Sequence, residues 1–248
     1  MKALITGASS GIGREIALYL NSLGYDLYVV SRNKKDLEKV YKNIKNVTMI
    51  ELDLRKLDNV FNLYNQVKED GIDILVNIVG FGDSGNFIET DLNKELDMIN
   101  LNVVSYHVLT KLFLKDFTKR NRGRILNVAS MSGFMPGPYM ATYYATKSYV
   151  VKLSLAIYEE LRHDNSNVKI SVFCPGPVKT NFTSKAHVHF KINSLTAREA
   201  GKIAVDGMFM NKLVILPSNM KLNYLLTKIA PLKMVLRVNS LVQERASK

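Results

Sequence analysis

Short apolar runs alternate along this chain with longer stretches in which apolar residues recur every three or four positions, and that order predicts strands alternating with helices around a parallel sheet. The strand-like runs are residues 2–6, 26–31, 47–52, 72–76, 125–130, 168–173 and 213–216. Several are rich in Val, Ile and Tyr, which suit a pleated surface. Helical spacing covers residues 14–23, 92–119, 143–161 and 196–210; in the second of these Leu96, Ile99, Val103, Leu109, Leu112 and Phe113 share one face. Thr196-Ala197-Arg198-Glu199 has the spacing of a capping box, which marks where the fourth begins. Residues 219–248 form a tail with two apolar helical faces, Leu222/Leu225/Leu226/Ile229 and Val235/Leu236/Val238/Leu241, interrupted at Pro231. No repeat, low-complexity tract or linker divides the chain. Its 248 residues, 47% of them apolar, suit one domain spanning residues 1–248.

Between the first strand and the first helix lies Gly7-Ala8-Ser9-Ser10-Gly11-Ile12-Gly13. Strand, glycine turn and helix in that order form a phosphate-binding start, because glycines let another group approach the backbone and the helix amides face an anion. The spacing is one residue wider than the G-x-G-x-x-G dinucleotide fingerprint, and a glycine-rich turn alone is more often only a turn.

A second constellation is Tyr143-Tyr144-Ala145-Thr146-Lys147, thirteen residues after Ser130. Tyr143 and Lys147 stand four apart and so share a helix face, where the cation is expected to favour the phenolate and lower the phenol pKa. Ser130 closes a buried strand, where its hydroxyl can bond the same substrate oxygen. Ser132 and Tyr144 are competing hydroxyls, but only Tyr143 stands four before Lys147. Such pairs are also ordinary on amphipathic helices.

Together, the glycine turn, Ser130, Tyr143 and Lys147 resemble the short-chain dehydrogenase/reductase family, over residues 4 to about 216. The resemblance implies an α/β fold, a single Rossmann domain with a doubly wound seven-stranded parallel sheet flanked by helices. It implies that Tyr143 is the proton donor or acceptor, that Ser130 orients the carbonyl, and that Lys147 binds the nicotinamide ribose. It assigns Gly7, Ser9, Ser10, Gly11, Ile12 and Gly13 to the cofactor turn, Asp53 to the adenine amino group and Leu54 to a backbone contact. On its own, an aspartate before a helix is more often an N-cap.

The family's fourth catalytic residue is an asparagine that holds a water beside the lysine. Asn100 and Asn102 both qualify; the later Leu109-Thr110-Lys111 and Phe113-Leu114 align so as to select Asn102, with Asn100 as fallback and a plain helix-surface role open for both. Asn77 and Gly80 match the family's Asn-Asn-Ala-Gly segment beside the cofactor, while Ile78 and Val79 depart from it. Pro175, Gly176, Val178 and Thr180 resemble the segment beside the nicotinamide.

The tip of the second strand reads Ser31-Arg32-Asn33-Lys34-Lys35, with no carboxylate until Asp36. An acidic residue there would accept from an adenosine ribose and repel a 2′-phosphate, whereas Arg32 pairs with that phosphate and Ser31 adds a hydrogen bond. NADP(H) is therefore expected over NAD(H), although Arg32 equally suits the start of a solvated helix. The expected function is an NADP(H)-dependent oxidoreductase passing hydride between nicotinamide and a carbonyl or secondary alcohol. The alternative is an NADP(H)-binding sensor or membrane-associated scaffold without turnover. Some relatives epimerise or dehydrate, so the fold alone does not decide the reaction.

Composition narrows the partners. The formal charge of +12 comes from 34 Lys and Arg against 22 Asp and Glu. The cations are scattered rather than striped with aromatics, so nucleic acid is not expected. Cys174 is the single cysteine, which excludes an internal disulfide, and its apolar run suits a buried side chain better than a nucleophile. His107, His163, His187 and His189 form no ligand pattern, and no metal is expected. The chain opens directly on its first strand and has no apolar run long enough to span a bilayer, so a cytoplasmic protein is expected. Residues 181–193 are expected to cover the substrate as a lid containing Phe182, His187, Val188 and Phe190. A homodimer or homotetramer is expected from the resemblance. For the basic amphipathic tail, packing on its own domain, covering a partner subunit and lying on a membrane surface all stay open.

Overall fold

A computed structural model describes residues 1–180 and 194–246 of the chain. The elements run β1 (Lys2–Thr6), α1 (Gly11–Ser22), β2 (Asp26–Ser31), α2 (Lys34–Tyr41), β3 (Val47–Glu51), α3 (Leu57–Val67), β4 (Ile74–Asn77), α4 (Leu92–Ile99), α5 (Ser105–Lys119), β5 (Arg124–Val128), α6 (Ala141–His163) and β6 (Lys169–Phe173). They continue with β7 (Val178–Lys179), β8 (Leu195–Thr196), α7 (Ala197–Phe209), β9 (Val214–Ile215), α8 (Lys221–Ile229) and α9 (Leu232–Ala246). Seven strands form one parallel sheet in the order β3-β2-β1-β4-β5-β6-β9, and β7 pairs with β8 apart from it. This is the doubly wound sheet expected from the sequence. The order reverses between β1 and β4, which opens a crevice at their carboxyl ends.

Side-chain alternation divides the core between the two faces of the sheet. On β1, Ala3 and Ile5 join Ile16 and Leu20 of α1 and Ala204 and Met208 of α7, while Leu4 joins Leu63 of α3 and Phe113 and Phe117 of α5. Strands β4 and β5 repeat the pattern, with Val76 and Leu126 on the first face and Leu75 and Ile125 on the second. Both faces are covered, which is why these strands read as nearly continuous apolar runs.

The capping box forms at α7, where Thr196 accepts from the Glu199 N–H and the Glu199 carboxylate accepts from the Thr196 N–H. The expected helix over 92–119 is instead two α-helices separated by a π-helical turn, Asn100–Val104. In that turn Asn102 is fully buried and its amide clasps the main chain of Phe81, donating to the carbonyl at 2.9 Å and accepting from the N–H at 3.2 Å. Apolar spacing is nearly the same in the two helix forms, so periodicity could not show the widened turn.

The tail forms α8 and α9, parted at Pro231 as the sequence suggested. It packs on its own domain: the rings of Tyr224 and Phe134 lie 4.7 Å apart, and Asn239 donates to the Pro136 carbonyl at 2.9 Å.

Candidate active site

The crevice is built from the loops that leave the carboxyl ends of the strands. At the first of them, Thr6 donates to the Val76 carbonyl at 3.3 Å and accepts from the N–H of Ile78 at 3.1 Å and of Val79 at 3.4 Å, tying the end of β1 to that of β4. The glycine turn lies on this staple. Gly7 has φ +69°, a left-handed conformation that disfavours a side chain, and a Cβ there would stand 2.9 Å from the Cα of Val79. A Cβ on Gly13 would overlap the carbonyl oxygen of Gly7. Ser10 caps α1 without a side-chain capping bond, and Gly7, Ser9, Gly11 and Ile12 are only partly covered. Tyr41 holds the turn from beneath by donating to the Ala8 carbonyl at 2.7 Å. A bare backbone at the start of a helix fits the diphosphate of a dinucleotide.

Along the rim, Ser31 donates to Ser9 at 3.1 Å, which joins the tip of β2 to the turn. Arg32 is exposed beside them, in a groove shared with Asn33, Lys34, Lys35, Glu38 and Glu51. Leu54 is buried against Val30 and Ile50. The Asp53 carboxylate is already held by Arg55, whose Nε lies 3.0 Å from both of its oxygens and whose Nη1 also bonds Asp97 at 2.6 Å. This hydrogen bonding keeps the Asp53 carboxyl below its usual range, with Arg32 adding to the effect. The sequence reading missed the Arg55 clasp. Its local signal was present, since Arg55 follows Asp53 by two residues, but Asp97 arrives from α4 and only the fold brings it in.

At the end of β4, Asn77 donates to Thr110 at 3.2 Å and to the Asn127 side chain at 2.9 Å, so it anchors β4 to α5 and β5. Its Oδ1 is buried without a hydrogen-bond partner among the described residues. Gly80 is tight for another reason: a Cβ there would lie 2.8 Å from Asn102 Oδ1 and 3.5 Å from Lys147 Nζ. Asn102 also donates to Thr146 of α6 at 3.1 Å. Asn100 is exposed, so of the two candidates only Asn102 stands beside the lysine. Ile78 packs into the α1 face of the core and Val79 into the opposite one, so the two departures from the family pattern are absorbed by packing.

Ser130 leaves β5 in extended conformation and accepts from the Ser132 N–H at 3.2 Å. Helix α6 brings the phenols to it. Tyr143 is hydrogen-bonded to Ser130, whereas Tyr144 is bonded to Ser132 and to Gln243 of α9. Ser130 thus stands with Tyr143 and Ser132 with Tyr144, and the two serine hydroxyls are themselves joined, Ser130 donating to Ser132 at 3.1 Å. Lys147, one turn below, donates to the Val128 carbonyl at 3.2 Å, with its Nζ 5.9 Å from the centre of the Tyr143 ring and 5.5 Å from that of Tyr106.

The expected depression of the Tyr143 pKa is not what the structure produces. Burial raises the phenol above its usual value, with the Ser130 hydrogen bond opposing, and the same burial lowers Lys147 to about 8. Desolvation disfavours both charged forms, and at this depth it outweighs the attraction between them. Burial likewise raises the Cys174 thiol, so the single cysteine is the covered side chain expected from its apolar run.

The segment 175–180 closes the crevice. The Pro175 carbonyl accepts from the Met131 N–H at 2.9 Å, and Gly176 lies against Met220. Val178 is buried, and the methyl of Thr180 lies 3.2 Å from where a Cβ on Gly11 would stand, so this segment reaches the glycine turn. A second bridge crosses the rim where the Gly85 N–H donates to the Tyr139 carbonyl at 2.8 Å. The expected lid, 181–193 with His187 and His189, lies outside the described residues. Among the described residues there is no cluster able to hold a metal ion, and no helix is long and apolar enough to cross a membrane.

Comparison with known proteins agrees with this geometry. A very-long-chain 3-oxoacyl-CoA reductase of Phaeosphaeria nodorum is 36% identical over 178 residues, covering 67% of this chain and 52% of the reductase. The chain spans about half the length of the curated reductases of this kind that it matches. Among solved structures, a short-chain dehydrogenase from Sphingobium yanoikuyae in complex with NADPH superposes with a TM-score of 0.83 at 27% identity, covering 90% of this chain and 91% of that one. The bulky-bulky ketone specific alcohol dehydrogenase from Comamonas testosteroni superposes with a TM-score of 0.78 at 28% identity, covering 88% and 86%. The family described as short chain dehydrogenase matches residues 1–189, so the chain belongs to that family, the oxidoreductases whose Rossmann-type fold binds a nicotinamide cofactor.

Proposed function

We propose that the chain is an NADP(H)-dependent ketone reductase, running as an alcohol dehydrogenase in reverse, in which Tyr143 transfers the proton. The observation that carries this reading is the buried unit of Ser130 bonded to Tyr143 above Lys147, with Asn102 beside it. When bound, the nicotinamide supplies the hydride. Ser130 donates a hydrogen bond to the substrate carbonyl and holds it against the Tyr143 hydroxyl. Because burial raises its pKa, the phenol is protonated at neutral pH and gives its proton to the oxygen as charge develops there. The Lys147 ammonium then offsets the phenolate. Asn102, fixed by Phe81 and Thr146, positions the lysine side of the path by which the phenol regains its proton.

Three features support NADP(H): Arg32 exposed at the tip of β2, the linked hydroxyls of Ser31 and Ser9, and the NADPH held by the Sphingobium relative. For the substrate, Met98, Met140, Tyr143 and Tyr144 form one apolar cluster with Phe81 and Met135 packed against it. Flexible methionines beside the reacting phenol suit a ketone with long or bulky apolar substituents. The names of the 3-oxoacyl-CoA reductase and bulky-ketone relatives point the same way.

Replacing Tyr143 with Phe tests the mechanism. Turnover of ketones with NADPH is expected to fall by about two to four orders of magnitude, while NADPH binding, followed by fluorescence titration, stays near that of the parent. Near-parental turnover in Tyr143→Phe overturns the assignment, and binding without turnover in the parent chain favours a sensor.

A further inference from the structure

Helices α8 and α9 leave an apolar face uncovered by the domain they pack on. The residues they turn inward are mixed: Tyr224 packs on Phe134 and Val235 and Leu236 are half-buried, while Asn239 bonds the Pro136 carbonyl and buried Gln243 bonds Tyr144. The face left to solvent is apolar. On α8, Leu222, Leu225, Leu226 and Ile229 fall at i, i+3, i+4 and i+7 and are each 47–70% exposed; on α9, Leu232, Met234, Val238, Leu241 and Val242 are each 41–65% exposed. Scattered surface leucines need no explanation, but a continuous apolar face along two successive helices marks a docking surface.

Charge identifies the occupant. From residue 207 to residue 243 there is no Asp or Glu, whereas Lys212, Lys221, Lys228, Lys233 and Arg237 all fall in that span. Lys221 and Lys228 share one edge of the apolar face of α8, and Lys233 and Arg237 share one edge of that of α9, where Glu244 is the single acid of the two helices; the four cations are exposed. A second copy seated symmetrically on this face would bring cations against cations, which is destabilising. An anionic lipid surface satisfies both features, since acyl chains take the apolar residues and headgroup phosphates take the lysines and arginine. Neither helix is long and apolar enough to span a bilayer, so both would lie in its interface.

We propose that α8 and α9 dock this protein in the plane of an anionic membrane, apolar face down, with their inner face still attached to the rim of the candidate active site through Asn239 and Gln243. The proposal stands apart from the proposed reaction, because binding is read without turnover. In sedimentation of the full chain with equimolar phosphatidylcholine–phosphatidylglycerol vesicles, the protein is expected in the pellet. With phosphatidylcholine alone, or in high salt, it stays in the supernatant. Two variants at exposed positions separate the two forces. Leu225→Glu with Leu241→Glu abolishes vesicle binding, and each cation exchanged in Lys228→Gln or Lys233→Gln weakens it about fivefold. Circular dichroism confirms that the variants fold. Absence from the anionic vesicle pellet overturns the proposal, as does binding that survives the double Leu→Glu exchange, or a dimer in analytical ultracentrifugation that the same exchange dissolves.

Discussion

Helices α6 and α9 both depart from the rule that polar residues face water and apolar residues face the core, in opposite directions. Helix α6 buries Thr146, Lys147 and Ser154 along with Tyr143 and Tyr144, whereas α9 leaves Met234, Val238 and Leu241 in solvent. In α6 the buried groups have partners within the fold. Thr146 donates to the Tyr143 carbonyl, Lys147 to the Val128 carbonyl, and Ser154 to the Val150 carbonyl while accepting from Asn127. In α9 the exposed groups have no such cover among the described residues. The contrast separates two kinds of function: a polar group buried at some energetic cost and satisfied inside points to chemistry, and an apolar face left uncovered points to something outside the domain.

The largest effect is expected where the α6 inversion is undone. Lys147→Met replaces a buried cation with an apolar side chain of similar length. Turnover is expected to fall by about two to four orders of magnitude, while the melting temperature holds or rises, because the desolvation cost of the ammonium disappears. The Val128 carbonyl keeps its bond from Tyr106, at 3.1 Å, so no acceptor is stranded. A large fall in melting temperature would instead make Lys147 a structural residue.

A smaller effect follows from titrating the same group. Lys147 is protonated below its pKa of about 8 and neutral above it. The rate of ketone reduction is therefore expected to decline as pH rises through that value. The sign for stability is opposite. Between about 8 and the ordinary lysine value of 10.5 the unfolded chain holds the extra proton, so this group's contribution to stability rises with pH. The parent-minus-Lys147→Met differences in unfolding free energy isolate it from the surface lysines. A rate profile flat through pH 8 would remove the charge from the mechanism.

The smallest effect is expected on the outer face of α8. Leu226 is 47% exposed, so Leu226→Gln should change stability by no more than about 0.5 kcal/mol, measured by urea unfolding. A loss of several times that size would show that the face is covered by the protein's own residues, and the contrast with α6 would collapse.

Much of the fold was legible because its causes are local. Runs such as Leu75-Val76 and Ile125-Leu126 read as strands since both faces of a parallel sheet are buried. The capping box at Thr196 needed only four consecutive residues. Where the reading changed, the cause came from elsewhere in the chain. The helix over 92–119 breaks at Asn102 because that amide finds Phe81, twenty-one residues away. Arg55 holds Asp53 with help from Asp97, forty-two residues on.

The sequence by itself determined the order of elements, the bare glycine turn and the four-residue spacing that sets Tyr143 above Lys147, all of which depend on backbone geometry and near neighbours. Only the tertiary structure decided which serine each tyrosine meets, that the buried phenol sits above rather than below its ordinary pKa, and that the tail leaves an apolar face outward. Hydrogen-bond partnership, desolvation and exposure are set by groups brought together from across the chain, and no window of sequence contains them.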